Sequence, residues 1–283
     1  MIRLSAFADE ISPDLDEQIA VLFREHIHFL DLRGVWNTNV LDLTDQQVAR
    51  IKETLDAHSI GIAAIGSPIG KVPIDSSFDE HLHRFERAIA VAQALQTPYI
   101  RIFSFYPPAI AGERDDNGAA GPAEYRDEVL RRLREMTARA RAAGVILLHE
   151  NEKDIYGDTI ARCVDLLQSC NDTRLRAVFD PANFIQCGQT PYPDAYEALR
   201  PWLGYVHVKD AISDGSVVPA GEGVAHWPEL LQRLRADGYD GFLSLEPHLA
   251  FAGQYQGFSG PDLFRLASQA LQHMLQAMDW EYA

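Results

Sequence analysis

The most restrictive feature of the sequence is an alternation of short apolar segments with longer amphipathic segments, repeated eight times along 283 residues. The apolar segments predict strands at 2–7, 27–32, 61–65, 98–103, 145–149, 175–179, 203–208 and 241–245. The amphipathic segments predict helices at 14–24, 44–58, 79–95, 122–143, 158–169, 193–199, 227–237 and 261–278. Strands that alternate with helices form parallel sheets through right-handed crossovers, and nearly continuous apolar strands are buried on both faces.

Eight such units favour a single (β/α)8 barrel, the TIM barrel, as one domain over residues 1–283. An open doubly wound sheet has the same alternation, but no dinucleotide-binding glycine fingerprint follows the first predicted strand. Capping residues support the helix boundaries. Thr44 with Gln47 predicts a capping box, and Ser12 with Pro13 predicts an N-cap followed by the first helical position.

One segment, residues 104–121, interrupts the alternation because it is long, polar and rich in Pro and Gly. It leaves the C-terminal end of the fourth predicted strand, where the loops of barrel enzymes can cover an active site. Two interpretations stay open for this segment, namely an active-site loop and a mobile surface insertion.

Composition and charge exclude several classes of protein. A formal net charge of -16 argues against nucleic-acid binding, because such a surface repels the phosphate backbone. The sequence has no apolar stretch of the roughly 18 residues that a membrane span needs. We also find no signal-peptide pattern at the N-terminus, and three scattered cysteines do not make a disulfide framework. The sequence therefore predicts a cytoplasmic protein with reduced thiols.

Four consecutive predicted strands end in a side chain of a metal-ligand type. These side chains are Glu150, Asp180, His207 and Glu246. Barrel enzymes keep their chemistry at the C-terminal ends of the strands, and strands five to eight lie side by side, so the four side chains are expected to converge. Alone, Asp180 before Pro181 would indicate a helix cap and His207 a buried structural histidine. Four coincidences on successive strands favour one divalent metal ion, with Mn²⁺ ranked first and Mg²⁺, Co²⁺ or Zn²⁺ as alternatives.

The chain resembles the xylose-isomerase-like barrel superfamily, in the branch usually labelled sugar phosphate isomerase/epimerase. The resemblance covers nearly the whole chain. It rests on the segments SAFADEI from Ser5, HEN from His149, DPANF from Asp180, HVKD from His207, GEG from Gly221 and GYDGF from Gly238. These motifs are specific for the superfamily and its metal site. They do not select the substrate, because the superfamily includes ketose epimerases, isomerases, inosose dehydratases and DNA repair endonucleases.

By this resemblance, Glu150 and Glu246 are both metal ligands and catalytic acid/base groups on opposite faces of the substrate. A carboxylate that removes the proton next to a carbonyl needs a metal ion to stabilise the resulting enediolate. The same resemblance suggests a substrate-binding role for Asn183, although ketose 3-epimerases have a histidine at this position. They also have an arginine shortly after the histidine ligand, where this chain has Ala211, Ile212 and Ser213. Both departures count against a ketose epimerase.

Three further residues are predicted to bind substrate at the mouth of the barrel. Lys209 follows the histidine ligand and is expected either to polarise a carbonyl or to form a salt bridge with Asp210 or Glu222. Arg33 and His248 lie at the ends of the second and eighth strands, where structural roles are also open. Arg101 lies within an apolar strand, and we expect it to pair with an acid such as Glu10 inside the barrel.

The leading hypothesis from the sequence is a metal-dependent isomerase or epimerase that acts on a keto sugar or related polyol. The main alternative is a metal-dependent lyase or dehydratase of a keto sugar, keto-glycoside or inosose, and a non-catalytic sugar-binding subunit is a third. An apurinic endonuclease would need more histidines and a basic groove. The expected partner is a small sugar-like molecule. The oligomeric state stays open, and related barrels often form dimers or tetramers.

Overall fold

The computed structural model describes residues 1–108, 122–249 and 259–283. In this part of the chain, eight parallel strands close into a barrel in the order 1-8-7-6-5-4-3-2. The strands are β1 (Arg3–Ala6), β2 (Phe29–Leu32), β3 (Gly61–Ile65), β4 (Tyr99–Ile102), β5 (Ile146–Glu150), β6 (Leu175–Phe179), β7 (Leu203–Val208) and β8 (Phe242–Leu245). Because β1 pairs with β8, the sheet has no open edge. The predicted (β/α)8 barrel is therefore confirmed.

Helices follow the strands and pack around the barrel. They are α1 (Leu15–Arg24), α2 (Asp45–Ala57), α3 (Phe78–Ala94), α4 (Pro122–Ala143), α5 (Ile160–Cys170), α6 (Pro181–Gln186), α7 (Tyr196–Leu199), α8 (Trp227–Ala236) and α9 (Gly260–Ala277). Their apolar faces bury large side chains such as Leu22, Phe85, Leu271 and Trp227 against the outside of the barrel. Removing this apolar surface from water is the main force that holds the helices on the sheet.

Two predicted helix starts had different outcomes. Thr44 Oγ1 accepts a hydrogen bond from Gln47 N, and the Gln47 side-chain oxygen accepts one from Thr44 N, so the capping box is confirmed. The prediction of Ser12 as the N-cap of α1 is wrong. Asp14 caps this helix by accepting a hydrogen bond from Glu17 N. Aspartate is as good an N-cap as serine, and Asp14 lies two residues after Ser12, so the Ser12-Pro13 pattern alone predicted the wrong cap.

The region after β6 is less regular than predicted. The expected helix at 193–199 is a π-helical turn, Pro191–Ala195, that continues into α7. In addition, the short helix α6 begins directly after β6 and was not predicted. It forms because Pro181 occupies its first turn and the Asp180 side chain accepts a hydrogen bond from Asn183 N. The hydrogen bond to the helix backbone therefore holds the Asp180 side chain in one orientation.

The interior of the barrel is filled by side chains that alternate along each strand. Residues two positions before each expected ligand point into the same interior, one layer below. These residues are Leu148, Val178, Tyr205 and Ser244. All four are buried, so a packed layer lies between the ligands and the lower end of the barrel.

Most of the predicted active-site loop, residues 104–121, lies outside the described residues, which resume at 122. Its first five residues leave β4, and Phe105 there is fully buried. The loop assignment therefore stays a prediction. Within the described ranges, no helix combines the length and the apolar character needed to cross a membrane.

Candidate metal centre

The four predicted ligands converge at the C-terminal mouth of the barrel. Glu150 ends β5, Asp180 follows β6, His207 lies near the end of β7, and Glu246 follows β8. Each offers one ligand atom, and these atoms all lie within 4.8 Å of one another. All four side chains are buried. The convergence follows from the strand order, because β5, β6, β7 and β8 are neighbours in the barrel.

His207 lies between the two glutamates. Its Nδ1 atom is 3.1 Å from Glu150 Oε1 and 3.3 Å from Glu246 Oε2. Burial would lower the pKa of His207, but the two carboxylates outweigh this effect and raise the pKa to about 10. In the absence of a metal ion, a proton on His207 therefore supplies positive charge between the carboxylates.

Asp180 has two partners of different kinds. Its Oδ1 atom accepts the hydrogen bond that caps α6, and its Oδ2 atom lies 2.8 Å from Lys209 Nζ. Burial raises the pKa of Asp180 to about 6, although Lys209 lowers it in part. Asp180 therefore caps α6 with its Oδ1 atom, as the Asp180-Pro181 sequence alone would indicate. Its Oδ2 atom faces the cluster of candidate ligands.

Two asparagines hold the carboxylates in place. Asn151 exchanges two hydrogen bonds with the backbone of Asp180, at 2.9 and 3.0 Å. The Asn183 Nδ2 atom donates to Glu150 Oε1 at 3.2 Å and to the Asn151 carbonyl at 2.9 Å. These bonds connect the ends of β5 and β6. The structure therefore places Asn183, predicted to bind substrate, against Glu150.

Lys209 does not form the salt bridge with Asp210 or Glu222 that was one of its two predicted roles. Its side chain is 5% exposed, and its ammonium group also lies 3.7 Å from Glu246 Oε2. Asp210 instead accepts hydrogen bonds from the backbone of Ala211, Gly221, Gly223 and Ala225. The Asp210 carboxylate thus orders the backbone of the loop after β7, and Lys209 faces the four candidate ligands.

Arg101 also reaches the cluster, and it pairs with acids inside the barrel as expected, although these are Glu150 and Glu246 and not Glu10. Its Nη1 atom donates to Glu150 Oε2 at 3.1 Å and to Glu246 Oε1 at 3.2 Å. The guanidinium lies over the rings of Phe7 and Phe103, at 4.7 and 5.1 Å from their centroids. Position explains the difference, because Arg101 points into the barrel from β4, next to β5.

A second group of charges adjoins Glu246 on the side of β1 and β2. Arg33 donates to Glu246 Oε1 at 2.9 Å and to Asp9 Oδ2 at 2.7 Å. His248 Nε2 lies 2.9 Å from Glu10 Oε1 and 3.4 Å from Glu246 Oε1. The side chains of Glu10, Glu246 and His248 form a second set whose atoms lie within 4.8 Å. The structure thus brings the predicted residues Arg33 and His248 to the edge of the ligand cluster.

Asp9 was not predicted as a site residue, and Glu10 was predicted only as a partner of Arg101. Both lie in the short helical turn Ala8–Glu10 after β1, so the strand-end rule that selected the four candidate ligands could have found them if it had been extended by a few residues. Asn151 was noted only as part of a motif. Its bonds to the Asp180 backbone depend on the spacing of β5 and β6, which a sequence does not show.

The cluster can hold a divalent metal ion. The oxygens Asp180 Oδ2 and Glu246 Oε2 are buried, and their near neighbours among the described residues are cationic, namely Lys209 Nζ at 2.8 and 3.7 Å and, for Glu246, His207 Nδ1 at 3.3 Å. Buried carboxylate oxygens need a cation or a donor, and three carboxylates with one imidazole match the ligand preference of Mn²⁺, Mg²⁺ or Zn²⁺. The donor set therefore fits a metal ion, and the arrangement leaves the identity of the ion open.

The comparison with protein-family models identifies the fold family. Residues 27–272 match the model described as the xylose isomerase-like TIM barrel. The chain belongs to this family. Its members share the barrel described above, and the predicted resemblance to the superfamily is therefore confirmed.

Individual relatives are distant. The chain is 22% identical over 237 residues to a 3-dehydroshikimate dehydratase of Bacillus anthracis. This match covers 75% of this chain and 79% of the relative. A D-tagatose 3-epimerase-like protein has a TM-score of 0.77 at 17% identity and covers 98% of both chains. A xylose isomerase-like barrel protein of Mycobacterium smegmatis in complex with magnesium has a TM-score of 0.70 at 16% identity and covers 97% of both chains. At these identities the two solved structures show the shared fold.

Proposed function

We propose that the protein is a divalent-metal-dependent lyase that eliminates water or an alcohol from a small polyhydroxylated ketone. Keto sugars, keto-glycosides and inososes belong to this class. Elimination fits the charges around Glu246 better than the isomerisation that the sequence favoured. Both reactions begin with removal of the proton next to a carbonyl group. They differ in the second step, which is loss of a leaving group in one case and return of a proton to carbon in the other.

The observation that carries the proposal is the set of permanent cations around Glu246. Arg33, Arg101 and Lys209 have nitrogen atoms 2.9, 3.2 and 3.7 Å from its oxygens. Nearby positive charge stabilises the ionised form of both glutamates and holds the pKa of each below its usual range, but Glu246 has these three permanent cations beside it whereas Glu150 has Arg101 at 3.1 Å, so Glu246 is the poorer proton carrier of the two. Epimerisation through two carboxylates needs the second one to return a proton to carbon, whereas elimination needs only one base.

The residues of the cluster can be assigned roles on this basis. A bound ion, held by Glu150, Asp180, His207 and Glu246, would supply positive charge to the carbonyl oxygen of the substrate. Glu150 takes the proton from the carbon next to the carbonyl. Lys209 adds a fixed positive charge where negative charge develops on oxygen.

The elimination step breaks one C–H and one C–O bond and forms a C=C bond. The electron pair of the C–H bond becomes the second bond between the two carbons, and the leaving oxygen takes up a proton. His248, with a side chain 35% exposed and held 2.9 Å from Glu10, lies at the solvent side of Glu246. We assign to His248 the contact with the leaving group and the donation of the proton that the leaving oxygen takes up, while Glu150 returns its own proton to solvent. The dehydratase of Bacillus anthracis supports this class of reaction as the function of a distant relative.

A second candidate function is the isomerase or epimerase predicted from the sequence. One observation favours it, namely that Glu150 and Glu246 both flank His207 Nδ1 and stand on the outer two of four adjacent strands. Two carboxylates in such positions can act on opposite faces of a bound sugar.

Product mass separates the two functions. Inososes, keto sugars and keto-glycosides are incubated with the protein and Mn²⁺ in D₂O, and the products are analysed by mass spectrometry. We expect a product that has lost one water or one aglycone, and no such product with Glu150→Gln. A product of unchanged formula that has gained deuterium at carbon would support the isomerase instead. Absence of exchange and of elimination across the panel would count against removal of a proton next to a carbonyl.

A further inference from the structure

The outer face of α1 exposes one stripe of side chains at helical spacing. The exposed residues of this helix are Asp16, Glu17, Ala20, Phe23 and Arg24. Residues three, four or seven positions apart share one side of a helix, so these side chains form a continuous surface. Phe23 is 70% exposed and is, with the terminal Met1, the most exposed large apolar side chain of the described residues. A single exposed apolar side chain is common in monomeric proteins, so its surroundings decide whether it marks a contact surface.

A groove lies directly beside Phe23. It has a volume of about 740 Å³ and runs between α1 and the segment that leads from α2 into β3. Ile19 and Ala20 line the groove from α1, and His58 and Ile60 line it from the other side. Phe23 borders the same groove without filling it, since most of its side chain remains exposed. An apolar projection and a partly apolar recess therefore lie next to each other on this face.

The two ends of the stripe carry opposite charges. Asp16 and Glu17 lie in the first turn of α1, and Arg24 lies in its last turn. In the described part of the chain, none of the three forms an ion pair, and Arg24 Nε donates only to the Ala20 carbonyl of its own helix, at 3.2 Å. Asp16 and Arg24 are eight residues apart, about 12 Å along the helix axis, with Ala20 midway. Both charges are thus available to a partner.

We propose that this face binds a second copy of the chain, with the two α1 helices antiparallel across a two-fold axis at Ala20. A two-fold contact must be self-complementary, and this stripe carries its own projection, recess and opposite charges. The antiparallel arrangement places Asp16 of each chain opposite Arg24 of the other, whereas a parallel one would place like charges together. The small side chain of Ala20 lets the helices approach closely. Phe23 of each chain then enters the groove of the other and is removed from water.

The contact is expected to be weak. Two helices of 10 residues bury less than the roughly 800 Å² per partner that is typical of stable complexes. The net charge of -16 on each chain also opposes association. Burial of the two Phe23 side chains supplies most of the affinity, and the exposed ion pairs mainly select the antiparallel orientation. We therefore expect a dissociation constant in the micromolar range. Because α1 lies outside the barrel, the dimer does not depend on the proposed function.

Sedimentation velocity of the full chain, at concentrations from about 1 to 300 µM, tests the dimer. We expect the mass to change from one chain to two over this range. Phe23→Ser should raise the dissociation constant about tenfold or more. Val224→Ser is the matched control and should leave it unchanged, because Val224 is 41% exposed in the loop after β7, two strands from β1. A wild-type chain that stays monomeric, or a dimer that Phe23→Ser does not weaken, would overturn the inference.

Exchange of the charges tests both the orientation and the identity of the partner. Arg24→Asp leaves negative charge at both ends of the stripe and should weaken the dimer at least several-fold. Asp16→Arg in the same chain restores opposite charges across the two-fold axis and should recover most of the affinity. Such a rescue requires that the partner carries the same two changes, which only a second copy does. A double variant that associates no more tightly than Arg24→Asp alone would contradict the antiparallel pairing.

Discussion

The ammonium group of Lys209 lies 2.8 Å from the Oδ2 atom of Asp180, inside the mouth of the barrel. Burial would lower the pKa of Lys209, but Asp180 and the two glutamates raise it above the usual range, so Lys209 is a permanent cation. Asp210 accepts hydrogen bonds from the backbone of its own loop and forms no ion pair with Lys209, whose ammonium group faces the candidate ligands instead. The candidate metal centre therefore also contains a fixed positive charge.

Replacing Lys209 tests whether this charge takes part in the reaction. Lys209→Met should lower kcat by about a hundredfold or more, the usual effect of removing one group that stabilises developing negative charge. Lys209→Arg should recover part of that loss, because it keeps the charge but not the shape. Lys71→Met, at the rim, serves as the control and should have a smaller effect. Steady-state kinetics with the eliminated substrate are the measurement, and a near-normal kcat in Lys209→Met would refute the role.

Asp31 is predicted to support the ligands from the layer below. It is buried on β2 and accepts hydrogen bonds from Tyr205 at 2.8 Å and from Ser244 at 2.7 Å. Tyr205 and Ser244 each lie two residues before a ligand. Asp31→Asn replaces one acceptor oxygen by a donor, which should reduce the free energy of unfolding by about 1–3 kcal/mol and weaken Mn²⁺ binding.

Urea unfolding and Mn²⁺ titration of Asp31→Asn provide the measurements. Ser268→Ala is a useful control, because it removes a buried hydroxyl whose partner, Gln272, lies with it on the outer helix α9. If Asp31→Asn matched the wild type in both measurements, the layer below the ligands would have no supporting role.

His81 is expected to make the protein less stable in mild acid. It is 6% exposed and packs against Phe105, and its Nε2 atom has no hydrogen-bond partner among the described residues. Burial, with help from Arg132 and Arg84, lowers the pKa of His81 to about 4. The unfolded chain therefore binds a proton between pH 6.5 and 4 that the folded protein does not, so stability falls as the pH falls.

The effect should reach at most about 3 kcal/mol near pH 4, where the folded His81 begins to titrate. Denaturant unfolding of the wild type and of His81→Phe at several pH values measures it. The variant should lose stability less steeply between pH 6.5 and 4. Parallel curves for the two proteins would show that His81 does not contribute.

The sequence predicted the fold and the convergence of four side chains well, for a physical reason. Periodic apolar segments indicate buried strands and helices. In a barrel, the C-terminal ends of all strands lie at the same mouth, so four polar side chains at the ends of neighbouring strands could be predicted to lie close together. The closed strand order and the 4.8 Å cluster agree with this reasoning. Whether the four residues bind a metal remains a prediction for experiment.

Pairing across the barrel could not be predicted in the same way. Arg101 contacts Glu150 and Glu246 rather than Glu10, because its partner depends on side-chain length and on how far each strand rises into the mouth. The short helix α6 was missed since six residues are too few to show a helical period. The cytoplasmic location predicted from the sequence, and the oligomeric state that the sequence left open, also await experiment.

Metal binding tests the central claim most directly. Calorimetric titration of the metal-free protein with Mn²⁺ at pH 7, in two buffers with different heats of ionisation, gives the stoichiometry, the affinity and the protons released. We expect one ion per chain and release of a proton, because His207 must lose the proton that its raised pKa of about 10 retains. Glu150→Gln and Glu246→Gln should each weaken binding strongly. Wild-type protein that binds no ion, or variants that bind it with unchanged affinity, would contradict the assignment of these four ligands.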